Sequence, residues 1–82
     1  MPDWNDNAAA DLDELERMVR EAITALANQH DPAAFHALLR LSGHLGYSLG
    51  VSARTVASAT SWARVADAAG TTRQAAWSRW KA

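Results

Sequence analysis

From Asp11 onward, apolar residues return every three or four positions: Leu12, Leu15, Val19, Ile23 and Leu26. That interval is the pitch of an α-helix, so the five side chains fall on one stripe. Asp11, Asp13, Glu14 and Glu16 crowd the first turns, where the helix dipole favours negative charge. Strand signals are missing. The β-branched residues are scattered, and no alternating run exceeds three or four positions. A chain patterned in this way buries its apolar residues along helices or not at all. The expected fold is all-α, a small helical bundle with N-terminal dimerisation helices and a C-terminal helix-turn-helix.

Size sharpens that constraint. A chain of 82 residues makes one small domain, which buries only about 60–65% of its unfolded surface and often leans on a partner for stability. There is no cysteine, which excludes disulfides and thiolate metal sites and points to a reducing, cytoplasmic setting. His30, His36 and His44 lack a metal-binding spacing and read as surface or interface residues. No cofactor or metal is expected. No apolar run approaches the roughly 20 residues of a membrane span, and the acidic start "MPDWNDNAAADLDELE" is unlike a secretory signal. Self-association is the remaining route to stability.

Punctuation divides the chain further. Residues 1–10 read as a flexible N-terminus and 11–30 as the acidic amphipathic helix. "NQHDP" ends that helix, because the residue before a proline avoids helical angles. Asp31 then caps a second helix with Pro32 as its first residue. Its stripe runs through Leu38, Leu41, Leu45, Leu49 and Val56, with Ala53 beside it, to about Ala57. Gly43, Gly46 and Gly50 interrupt it, each costing about 1 kcal/mol against alanine. One long helix whose glycines admit a close neighbour is preferred over two shorter helices broken at "SGHLGYSLG". Dimerisation is assigned to Leu12, Leu15, Val19, Ile23, Leu26, Leu38, Leu41, Leu45, Gly46 and Leu49.

Charge separates the two halves. Through Asp31, eight acids stand against Arg17 and Arg20, a balance of −6. From Pro32, six bases stand against Asp67 alone, a balance of +5. Such asymmetry accompanies polyanion binding. The basic half closes on "SWARVADAAGTTRQAAWSRWKA", residues 61–82, which holds three of the four tryptophans. Ser61 can cap a helix from Trp62 to Ala69, Gly70 suits a left-handed helix end, and Thr71 or Thr72 can cap a last helix from Arg73. Two short helices around a glycine turn make a helix-turn-helix pattern. Val65 supplies an apolar anchor, and Ala66 is small enough for a helix crossing. Ala75, Ala76 and Trp80 are expected to pack inward, with Trp62 also in the core. Arg73, Gln74, Trp77, Ser78 and Lys81 share the opposite side.

This stretch resembles the helix-turn-helix segments of small bacterial DNA-binding proteins of GC-rich organisms, which read close to "SWxxIAxxxGvTRQAAxxRW". Ser61, Trp62, Val65, Ala66, Gly70, Thr72, Arg73, Gln74, Ala75, Ala76, Arg79 and Trp80 fit that pattern, about a quarter of the chain. Thr71 departs from it, replacing an apolar residue, and so does Arg64, which stands where an acid often closes a capping box. The resemblance implies a recognition helix starting near Thr72 that enters the major groove of double-stranded DNA. Arg73 and Gln74 then meet base edges. Thr72 and the amides there suit a phosphate, and Trp77 completes the core, lies at a dimer contact or presses its ring on a thymine methyl or a sugar. Ser78 adds a polar contact. Arg64, Arg79, Lys81 and Arg54 suit phosphates, Arg79 alternatively an internal ion pair. The implied function is a dimeric transcriptional regulator or nucleoid-associated protein. The alternative is a helical protein-interaction module, an adaptor or antitoxin-like inhibitor whose acidic first helix meets a basic partner. Glycine elbow, paired carboxylates in apolar surroundings and phosphate loop are all lacking, so no enzyme is expected.

Overall fold

A computed structural model describes residues 4–82, with side chains placed from Asp11 onward. The protein is all-α, with four helices: α1 (Trp4–Ala27), α2 (Pro32–Ala59), α3 (Trp62–Ala69) and α4 (Arg73–Trp80). No strand occurs among the described residues. The expected all-α class holds over the described residues. Two compact units divide the chain, Met1–Arg40 and Leu41–Ala82.

In the first unit, α1 begins at Trp4, well before the expected start at Asp11. Ala8, Ala9 and Ala10 explain the difference, since alanine costs a helix least, and acids favour its first turns. The expectation for residues 1–3 lies outside the described residues. Arg17 bridges Glu14 and Glu21 (Nη1 to Glu21 Oε1, 2.8 Å), and Arg20 reaches Glu16 at 2.7 Å. These three- and four-residue intervals make side chains neighbours on a helix. The two carboxylates hold the Arg17 guanidinium above its ordinary pKa, Glu14 first and Glu21 second. The opposite stripe finds little cover. Leu12, Leu15 and Val19 are 67%, 59% and 57% exposed, and Met18 and Ile23 are exposed too. Leu26, Ala37 and Leu38 are half-buried, and Ala34 is buried. Asp31 caps α2 as expected: its Oδ1 accepts from the Ala33 amide at 2.9 Å, and Pro32 opens the helix.

α2 is one continuous helix through all three glycines, to Ala59. A close neighbour was one reason to expect glycine there. At Gly43 and Gly46, however, nothing among the described residues beyond the adjoining helix backbone lies within 4 Å of where a Cβ would be. At Gly50 the neighbour is Arg54, one turn along the same helix, whose Nη1 would sit 3.1 Å from that Cβ. Leu41, Leu45 and Leu49 are exposed.

The second unit has a core of small side chains. Ala53 of α2, Val65 and Ala66 of α3 and Ala76 of α4 are buried together, with Ala57, Trp62 and Trp80 half-buried against them. Ala76 is fully covered, at 0% exposure. Small residues here let α3 and α4 approach closely, and the two indoles close the edges. Ala75 corrects the expected inward set: it is exposed. One residue is about 100° of helix, so Ala76 and Trp80 share a side, one turn apart, that Ala75 does not.

Candidate nucleic-acid interface

Local chemistry fixes the α3–α4 pair at each end. Ser61 has extended backbone, and its Oγ accepts from the Arg64 amide at 3.2 Å. At the other end of α3, Gly70 adopts φ 67°, ψ 35°, the left-handed conformation that costs glycine nothing. The Thr71 amide returns to the Ala66 carbonyl at 3.0 Å, and the Gly70 amide donates to the Asp67 carbonyl. Thr72, rather than Thr71, caps α4, its Oγ1 accepting from the Ala75 amide at 3.1 Å. The amides of Arg73 and Gln74 lie in the first turn, where a helix offers no partner of its own.

This frame leaves α4 presenting one side outward. Arg73, Gln74, Trp77, Ser78 and Lys81 are all exposed and recur at one-turn intervals, as expected from the sequence. Trp77 is 42% exposed, a large aromatic surface for a protein of this size. The Lys81 ammonium stands 4.3 Å from the centroid of its ring, a contact that orients both side chains. A cleft of about 230 Å³ lies beside this ring, lined by Trp62, Arg73, Gln74 and Trp77. Trp62, read from sequence as core alone, therefore has two surroundings: the apolar cluster and the cleft. Its place as the first residue of α3 was the available signal, because an indole at a helix start outspans the core beneath it.

The remaining cations divide by position. Arg64 is exposed on α3. Arg79 lies over the ring of Trp80, 5.2 Å from its centroid, and forms no ion pair among the described residues. Arg54, expected at phosphate, has an internal partner as well. Its Nη1 donates to the Trp80 carbonyl at 3.0 Å, a part-buried bond that joins α2 to the end of α4. A cation there satisfies a carbonyl that the helix leaves open and suits the negative end of its dipole. His30, His36 and His44 are exposed, and no group of three metal-binding side chains occurs among the described residues. No helix among them is long and apolar enough to cross a membrane. The expected dimerisation residues Leu12, Leu15, Val19, Ile23, Leu41, Leu45, Gly46 and Leu49 are exposed, whereas Leu26 and Leu38 are half-buried. The chain matches no family model, no curated protein and no solved structure.

Proposed function

We propose that the protein binds double-stranded DNA in sequence-specific fashion, as a homodimer, and acts in the cytoplasm as a transcriptional regulator or nucleoid-associated protein. One observation carries this: α3 and α4, joined at a left-handed glycine and packed through Ala66 and Ala76, leave Arg73, Gln74, Trp77 and Lys81 exposed on one side of α4. A helix presented in this way fits the major groove with its N-terminal residues at the base edges. Arginine matches the two acceptors of guanine, and glutamine the acceptor and donor of adenine. Arg64, Arg79 and Lys81 flank that side for phosphates. The dimer rests on a different observation. Among the described residues the buried apolar side chains are Ala34 in the first unit and Ala53, Val65, Ala66 and Ala76 in the second, none larger than valine, while leucines of α1 and α2 are open to solvent. A second copy of the chain covers them.

The test is binding of the intact protein to duplexes selected from a random library, followed over a salt series. Affinity falls with salt at a log–log slope of about −0.9 per phosphate neutralised. Two half-sites stand about 34–36 Å apart or at a multiple of one turn. Arg73→Ala leaves the melting temperature unchanged and relaxes selectivity at one base pair by about 1–3 kcal/mol. A flat salt response with no enriched duplex refutes DNA binding. The exposed stripe of α1 favours the second reading, a helical protein-interaction module, and that outcome would establish it as the better one.

A further inference from the structure

We propose that the cleft between Trp62 and Trp77 is a receptor for the 5-methyl group of a pyrimidine, read together with the neighbouring guanine that Arg73 engages. This rests on the DNA-binding reading above and adds to it what the site distinguishes. The lining is unusual for a small surface depression: two indoles, one guanidinium and one carboxamide. Both indoles are restrained. Trp62 is half-buried against the Ala53, Val65, Ala66 and Ala76 cluster, and Trp77 carries the Lys81 ammonium 4.3 Å from its ring centroid. The two rings supply the apolar part of a lining whose other half is polar.

The polar groups at this cleft narrow the occupant. Arg73 offers only donors, and Gln74 offers donors and one acceptor. Its occupant therefore carries an apolar projection beside hydrogen-bond acceptors. In the major groove thymine has that pattern, a C5 methyl next to the O4 acceptor, with N7 and O6 of an adjacent guanine beyond. Unmethylated cytosine lacks the methyl and presents a donor, which leaves the apolar walls unfilled. Charge agrees with a polyanion: from Ser61 onward, Arg64, Arg73, Arg79 and Lys81 stand against Asp67 alone. Size agrees as well. At about 230 Å³ the cleft exceeds a water's share of about 30 Å³ several times over, which admits the methyl with the edge of its base.

The experiment replaces single atoms of the DNA instead of the protein. The tightest duplex selected by the intact chain is resynthesised with deoxyuridine at each thymidine in turn, and separately with cytosine or 5-methylcytosine at the same places. Fluorescence anisotropy then gives each affinity. At one pyrimidine per half-site, beside the guanine that Arg73 reads, loss of the methyl weakens binding about fourfold, equivalent to the ~0.8 kcal/mol of one buried methyl-sized group. At that position 5-methylcytosine binds more tightly than cytosine by a similar factor. Trp77→Ala, a change at an exposed ring, brings both ratios to one, while Arg73→Ala keeps the methyl ratio and loses the guanine preference. Wild-type protein that holds its selected duplex yet shows equal affinity for thymidine and deoxyuridine at every position overturns the methyl receptor and leaves DNA binding intact. Failure to enrich any duplex overturns both.

Discussion

The two units use the same helical material in opposite ways. In residues 41–82, each apolar group of α3 and α4 that counts for packing meets another, and both helices are capped by hydroxyls. In α1, three pairings between oppositely charged side chains decorate one side, while the leucine and valine stripe faces solvent. Ion pairs as exposed as these contribute little to stability. A helix within a folded protein gains most of its stability from packing of its apolar stripe. The core of the C-terminal unit is therefore made by contacts among α2, α3 and α4, whereas the apolar stripe of α1 is left exposed. Contiguous exposed apolar residues on a small protein mark an interaction site.

The largest expected effect lies in the packed unit. Trp80 closes its core from the end of α4, and its carbonyl receives Arg54. Trp80→Ala destabilises the unit by about 3 kcal/mol, the low end for truncating an aromatic because the ring is only half-buried. Thermal melting followed by circular dichroism measures it. DNA affinity falls because α4 loses its footing, so the loss of binding tracks the loss of structure across temperature. A variant that melts like the parent yet fails to bind places the Trp80 ring on DNA instead of in the core.

α1 answers a different probe. Leu15→Glu and Val19→Glu put charge into the exposed stripe, where fully burying such a side chain is worth about 1.5–3 kcal/mol. Each substitution raises the dimer dissociation constant at least about tenfold, as read by sedimentation. The cap geometry of α3 and α4, and with it binding to a single half-site, is unaffected. A parent chain that sediments as a folded monomer at tens of micromolar and binds DNA removes the contrast between the units.

Much of the second unit was legible from sequence because its determinants are local. Ser61, Gly70 and Thr72 act on amides and carbonyls within four residues, so their residue types identify the ends of α3 and α4 directly. The outward set of Arg73, Gln74, Trp77, Ser78 and Lys81 follows from helical period alone. Non-local determinants were not legible. Nothing in the sequence near Arg54 tells that its guanidinium meets a carbonyl 26 residues away. The double setting of Trp62 depends on how α3 lies against α4, which spacing does not encode. The sequence sets Ala75 on the same broad side of α4 as Ala76 and Trp80, and only the phase fixed by the core separates them. At the N-terminus, polar residues concealed a helix that alanine propensity and early acids extend to Trp4.

Gly46 gives the smallest effect and the one whose sign decides most. Among the described residues nothing beyond the adjoining helix backbone lies within 4 Å of its missing Cβ, and the residue is exposed on a continuous helix. Alanine in that setting removes the entropy cost of glycine and stabilises α2 by about 1 kcal/mol. A second copy packed against this side reverses the outcome, because glycine then serves close approach and an added methyl group forces the helices apart. Gly43→Ala supplies the companion measurement, being equally open in one chain. Melting is recorded at low and at high protein concentration, so that the proposed dimer is disfavoured in one sample and favoured in the other. With the leucine side of α2 in the dimer, Gly46→Ala raises the melting temperature in the dilute sample and lowers the dimer's affinity in the concentrated one. Stabilisation by the same amount at both concentrations removes Gly46 from any contact between copies of the chain.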